Sequence, residues 1–139
     1  MLIGQPTAEQ IKIQIGAAIS LENPLSLEIQ GQDRVTGLPR PITLATDDIV
    51  EALEEPLAEL VQLVKRVLEK TPPELISDII DRGVALCGGG ALLRGVEKYL
   101  TKSLGIPAYL VDHPTTCTAQ GAARALGMRE ALRRSLIRV

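Results

Sequence analysis

The sequence predicts an α/β chain in two parts. Residues 1–72 read as a small α+β unit of helix, β-hairpin and long helix, and residues 73–139 as a βαβα unit. Three observations carry this reading. Leu25, Leu27 and Ile29 alternate with Ser26, Glu28 and Gln30 between two stretches of helical periodicity, the pattern of a half-buried strand. Pro72-Pro73 then marks a change in character. Beyond it, two short apolar runs are separated by a glycine turn and a helical pattern, the order of parallel strands joined by a crossover.

Each element follows from local chemistry. Thr7 and Gln10 stand at capping-box spacing, and Ile11, Ile15, Ala18 and Ile19 recur at helical intervals until Pro24. The strand from Leu25 ends at Gly31, and a second around Ile42 to Ala45 completes a hairpin with a long polar loop. Thr46 offers a hydroxyl cap, followed by Asp47 and Asp48 against the positive end of the helix dipole. Ile49, Leu53, Leu57, Leu60, Val64, Val67 and Leu68 then mark one apolar face, with Pro56 expected to kink or split the helix. A short helix from Pro73 to Ile80 leads to Gly83. Val84 to Cys87 reads as a strand buried on both faces, and Gly88-Gly89-Gly90 breaks it. Leu92, Leu93, Val96 and Leu100 define the next helix, ended by Gly105. Ala108 to Val111 is a second buried strand, and a last helix runs from Thr115 or Thr116 to near Ile137.

Composition narrows the function. The 139 residues are 45% hydrophobic and 23% charged, the balance of a soluble globular chain. Tyr99 and Tyr109 are the only aromatic side chains, so few platforms exist for stacking bases or sugars. A net charge of −2 argues against a nucleic-acid partner. Met1 to Ala8 lacks the basic and apolar regions of a signal peptide, and no apolar run approaches the ~20 residues that span a bilayer. Two cysteines with no metal-ligand spacing fit a reduced, cytoplasmic setting.

The strongest local signal is Leu86-Cys87-Gly88-Gly89-Gly90-Ala91-Leu92-Leu93. Three missing Cβ atoms between a strand and a helix permit positive φ and close approach of a ligand to the backbone. A following helix would aim free N–H groups at a phosphate or sugar hydroxyl. The same turn also fits a tight junction with no ligand. No Gly-Lys-Ser or Gly-Lys-Thr is present, which excludes a P-loop. A dinucleotide fingerprint would need glycine at position 93, where Leu93 stands, although Asp112 has the spacing of its ribose acid. Glu9 and Lys12 lie one turn apart on a helix face, either as ligand contacts or as an exposed ion pair. His113 has no sequence partner suggesting a triad or metal site. Cys87 reads as a small buried residue beside the turn. Arg129, Arg133, Arg134 and Arg138 make the C-terminal helix basic, which matches the helix dipole better than it argues for a membrane surface.

Longer segments carry more information. Thr7-Ala8-Glu9-x-Ile11-Lys12, Gly31-x-Asp33-x-Val35-Thr36-Gly37-Leu38-Pro39 and Glu55-Pro56 lie in the first part. Lys70 to Leu75, Asp78 to Gly83 and Gly88 to Gly95 lie in the second. Together they resemble the MreB family of bacterial actin-like cell-shape proteins, from Ile3 to about Leu126. The resemblance implies the C-terminal part of an actin-like ATPase fold, in a filament-forming protein that organises cell-wall synthesis. ATP is the implied cofactor, with adenosine contacts at Glu9, Gln10, Ile11 and Lys12 on the first helix and at Gly88, Gly89, Gly90 and Ala91. The family's phosphate loops, metal-organising acid and water-activating acid belong to a portion preceding this alignment. No catalytic residue and no Mg²⁺ site is therefore assigned to this chain, which is expected to be a fragment or truncated copy. Cys87 stands where the family usually has Thr, and His113 where it often has an acid. Implied partners are further copies or a full-length homologue in filaments, and the cell-wall elongation machinery, at a cytoplasmic location with a weaker expectation of membrane association. Two alternatives remain: a non-catalytic module that docks on full-length filaments, and a Rossmann-like dinucleotide binder.

Overall fold

The structure, a computed structural model, describes residues 1–128 and Arg133. The expected run of the last helix to Ile137, with Arg129, Arg134 and Arg138, lies outside those residues. The observed order is α1 (Gln5–Ile15), β1 (Ser26–Gln32), β2 (Pro39–Ala45), α2 (Thr46–Glu69), α3 (Pro73–Arg82), β3 (Val84–Leu86), a 3₁₀ turn (Gly89–Leu92), α4 (Val96–Leu104), β4 (Ala108–Leu110) and α5 (Cys117–Gly127).

Helix α1 starts two residues before Thr7. Gly4 occupies the cap position and Pro6 the first turn, where a missing N–H costs nothing, so Thr7 is interior and forms no capping box. The helix stops at Ile15, before Ala18 and Ile19. β1 and β2 pair antiparallel from Ser26↔Ala45 to Gln32↔Pro39, so β1 is shifted one residue from its expected span and β2 begins three residues earlier than expected. Pro39 and Pro41 are tolerated because β2 is an edge strand. On the other side of β1, Leu2 and Gln32 exchange backbone bonds of 2.8 and 2.9 Å, which extends the pairing past Gly31.

Thr46 is fully buried and does not cap α2. Its hydroxyl accepts from the Leu25 amide at 3.0 Å and donates to the Leu25 carbonyl at 3.3 Å, stapling the start of the helix to the start of the hairpin. The carboxylate of Asp48 takes the capping role, accepting from the Ala45 amide at 2.7 Å. Pro56 neither ends nor splits α2, which runs unbroken for 24 residues. Pro56 and Ala52 are both exposed, so water can satisfy the carbonyl that lost its N–H partner.

The core cluster joins the two parts of the chain. Ala18, Leu57 and Val61 pack with Val96 and Leu100, flanked by Leu53, Leu86, Leu93, Tyr99, Leu104 and Ala108. α4 covers one face of a two-stranded parallel sheet in which Val84, Ala85 and Leu86 pair with Ala108, Tyr109 and Leu110. The other face is open. Tyr109, on that face, is 49% exposed, and Leu110, on the same side as Leu86, is still 42% exposed, so these strands are not buried on both faces as their composition predicts. The described residues bring no second layer against that side.

Candidate functional site

The glycine turn is the better defined half of the candidate site. Gly88 has φ +87°, a left-handed conformation that disfavours a side chain. Gly89 and Gly90 have no such need. A Cβ built on any of the three meets nothing within 4 Å. Internal packing therefore does not demand these glycines, and the space in front of them is free for something else to approach. Only Ala91 is buried. The Gly88 amide donates to the Pro114 carbonyl at 2.8 Å, tying the turn to the loop between β4 and α5.

The turn does not lead directly into an α-helix, contrary to the sequence expectation. Gly89–Leu92 form one 3₁₀ turn, Leu93 is extended, and Gly95 at φ +73° starts α4. A Cβ on Gly95 would lie 2.6 Å from Ile19 Cγ1, so close packing on the segment after α1 sets this second break. The dipole of α4 consequently begins beyond Gly95 rather than at the glycine turn. The dinucleotide reading, which needs its helix to open at the glycines, loses its geometric basis.

The α1 half is arranged differently. Glu9 and Lys12 form an i, i+3 ion pair, Oε2 to Nζ 2.7 Å, with 56% and 44% of their side chains exposed. Such a pair is worth a few tenths of a kcal/mol. Gln10 is exposed, whereas Ile11 is 3% exposed and its side chain belongs to the core. Glu9 and Lys12 edge a groove of about 720 Å³ whose floor is apolar, including Ile11, Leu44, Ile49 and Leu53. Gly88 to Ala91 do not line this groove.

Arg94 connects the two halves. Its guanidinium Nη1 donates to the carbonyls of Ile13 at 3.1 Å and Gly16 at 3.2 Å, at the end of α1. Its own carbonyl accepts from the Ala18 amide at 2.8 Å. No sequence motif assigns Arg94 a role. Its only signal was position, a lone arginine two residues past the 3₁₀ turn. Among the described residues no cluster of three or more His, Cys, Asp or Glu side chains could hold a metal ion. His113 sits on an exposed turn at φ +51°. Cys87, expected to be buried, is exposed: it follows β3 on the open face, opposite to Leu86.

A family model described as MreB/Mbl protein matches residues 1–134. The chain belongs to the MreB/Mbl family. It is 50% identical over 121 residues to a cell shape-determining protein Mbl of Bacillus cereus, covering 87% of this chain and 36% of the relative. It is 46% identical over 127 residues to the cell shape-determining protein MreB of Escherichia coli, covering 91% and 37%. Among solved structures, MreB5 of Spiroplasma citri bound to ADP superposes with a TM-score of 0.87 at 32% identity, over 99% of this chain and 41% of that one. The fold is thus that of the actin-like ATPases. The chain spans little more than a third of the length of the curated MreB and Mbl relatives it matches.

Proposed function

We propose that this chain supplies the adenosine side of the nucleotide cleft in a cell-shape-determining actin homologue. The observation that carries the reading is the open space before Gly88, Gly89 and Gly90, where three side chains are missing although no neighbouring atom would meet a Cβ at any of them. Its backbone can be approached closely by a ribose or an adenine edge. The Glu9 carboxylate is placed to accept from ribose hydroxyls and the Lys12 stem to cover the base, the ion pair opening as the ligand enters. The Spiroplasma relative bound to ADP supports nucleotide binding here, at 32% identity. These residues suit an uncharged nucleoside better than a triphosphate, because neither cluster adds a net positive charge. ATP, when bound, supplies a transferable γ-phosphoryl group, and this chain's own residues only bind and orient the nucleoside.

Gly89→Val tests the reading. Its side chain enters free space, so the circular dichroism spectrum and melting temperature of the chain should stay near the parent's. Binding of adenosine or ATP should weaken at least ~10-fold, about 1.4 kcal/mol. Unchanged affinity in a folded variant would remove the basis of the proposal.

A second reading is favoured by the exposed surface: a module that docks on filaments of a longer homologue or on further copies of itself. Tyr109 and Leu110 on the open sheet, with Leu63 and Val67 on α2, leave apolar area that association would cover. Cell-wall machinery is the partner the family relationship suggests for the assembled filament, at the cytoplasmic side of the membrane. Among the described residues no helix is long and apolar enough to cross a membrane.

A further inference from the structure

Cys87 and Cys117 are thirty positions apart, yet one carbonyl oxygen at the glycine turn holds Cys117 and the residue that follows Cys87. The Cys117 thiol donates to the Pro114 carbonyl at 3.4 Å, and the Gly88 amide donates to the same oxygen at 2.8 Å. Those two contacts, end to end, cap the separation between the Cys117 sulfur and the nitrogen that follows Cys87. Cys87 is exposed and Cys117 half-buried at the first residue of α5. We propose that the two thiols form a redox-responsive pair, converted to an intramolecular disulfide by hydrogen peroxide.

The chemistry balances without another reactant. The exposed Cys87 sulfur attacks peroxide, breaking its O–O bond to give a sulfenic acid and one water. The Cys117 sulfur then displaces the sulfenic oxygen, which leaves as a second water with the Cys117 proton. Two thiols are oxidised and one peroxide is reduced. Cys117 is the natural resolving thiol because its shielding keeps peroxide away while its anchor keeps it near the turn. The bridge would reinforce the single Gly88–Pro114 hydrogen bond with a covalent clamp, at a turn with open space in front of it. The sequence predicts Cys87 to be a small buried residue beside the turn. Its exposure and its neighbour are both structural findings.

The pairing is tested on the full 139-residue chain, reduced and then treated with peroxide at an equal molar amount. Remaining thiols are alkylated before intact-mass and peptide analysis. The expected result is a monomer about 2 Da lighter that takes up no alkylating agent, with a Cys87–Cys117 linked peptide. Cys117→Ser should instead trap sulfenic acid on Cys87, detected by a dimedone adduct. Cys87→Ser should leave Cys117 reduced. A Cys87 sulfinate with Cys117 still alkylatable, or linkage only between chains, would overturn the pairing. The functional consequence rests on the adenosine reading proposed above: oxidation should change nucleoside affinity at least ~3-fold, reversibly with dithiothreitol. A disulfide in a chain that binds no nucleoside in either state refutes the adenosine reading and leaves the thiol pair standing. A disulfide without effect on measurable binding refutes the clamp alone.

Discussion

Arg94→Ala removes the side chain that ties the segment after the glycine turn to the end of α1. The guanidinium donates to the carbonyls of Ile13 and Gly16 at 3.1 and 3.2 Å. A hydrogen bond from a charged donor contributes about 1.5–3 kcal/mol when well shielded. The bond to Ile13 is exposed and that to Gly16 part-buried, so water replaces much of what is lost. We expect a net loss of about 1.5 kcal/mol for the two bonds. For a chain of this size that lowers the melting temperature by ~5 °C. Urea denaturation followed by circular dichroism gives the free energy, and hydrogen exchange gives the location. Protection should fall first at Ala18, whose amide bonds the Arg94 carbonyl at 2.8 Å. Arg94→Lys should recover less than half the loss, since both bonds come from Nη1 at the tip of the longer side chain and a lysine ammonium is shorter in reach and more strongly hydrated. A stability change below ~0.3 kcal/mol, with Ala18 protection intact, would refute the view that Arg94 holds the two halves in register.

Leu57→Ala opens the core cluster shared with Ala18, Val61, Val96 and Leu100 and should cost about 2–4 kcal/mol in denaturant unfolding. Gly95→Ala puts a side chain at φ +73° against Ile19, with an expected loss of about 1–2 kcal/mol from the left-handed backbone and more from the contact. The Asp33 carboxyl is held below its ordinary value of 3.8, chiefly by the backbone N–H of Thr36 and then that of Val35. A depressed folded-state value stabilises above the unfolded value and is lost as pH falls through the folded one, so ordering of the 33–38 loop should fade only below about pH 4. An NMR pH titration of the Asp33 and Thr36 resonances reports it directly. The open sheet face predicts that the melting temperature rises with protein concentration, and a sharp transition independent of concentration would count against association.

Much of the architecture was legible because several local signals agreed. The alternation at Leu25–Gln30 and the apolar face of α2 gave strand and helix their types, and Pro72-Pro73 ended α2 where expected. What stayed hidden depends on contacts distant in sequence. Thr46 reads as a cap, but its hydroxyl is spent on Leu25, twenty-one residues away. Pro56 reads as a breaker, but it falls on the exposed side of a helix held from beneath by Leu57 and Val61. The buried-strand composition of Val84–Cys87 misled because nothing among the described residues covers one of its faces. The glycine turn was visible as a motif, whereas its separation from α4 was set by Gly95 packing on Ile19. The bracing role of Arg94 had no local signature at all.

The adenosine half-site is tested most directly by titrating the ¹⁵N-labelled chain with adenosine and, separately, with ATP, and following backbone amides. The account predicts shifts at both Glu9–Lys12 and Gly88–Ala91 along one binding curve, with the two ligands equal in affinity within about 3-fold. Shifts confined to one segment, or ATP binding more than ~10-fold tighter than adenosine, would contradict it.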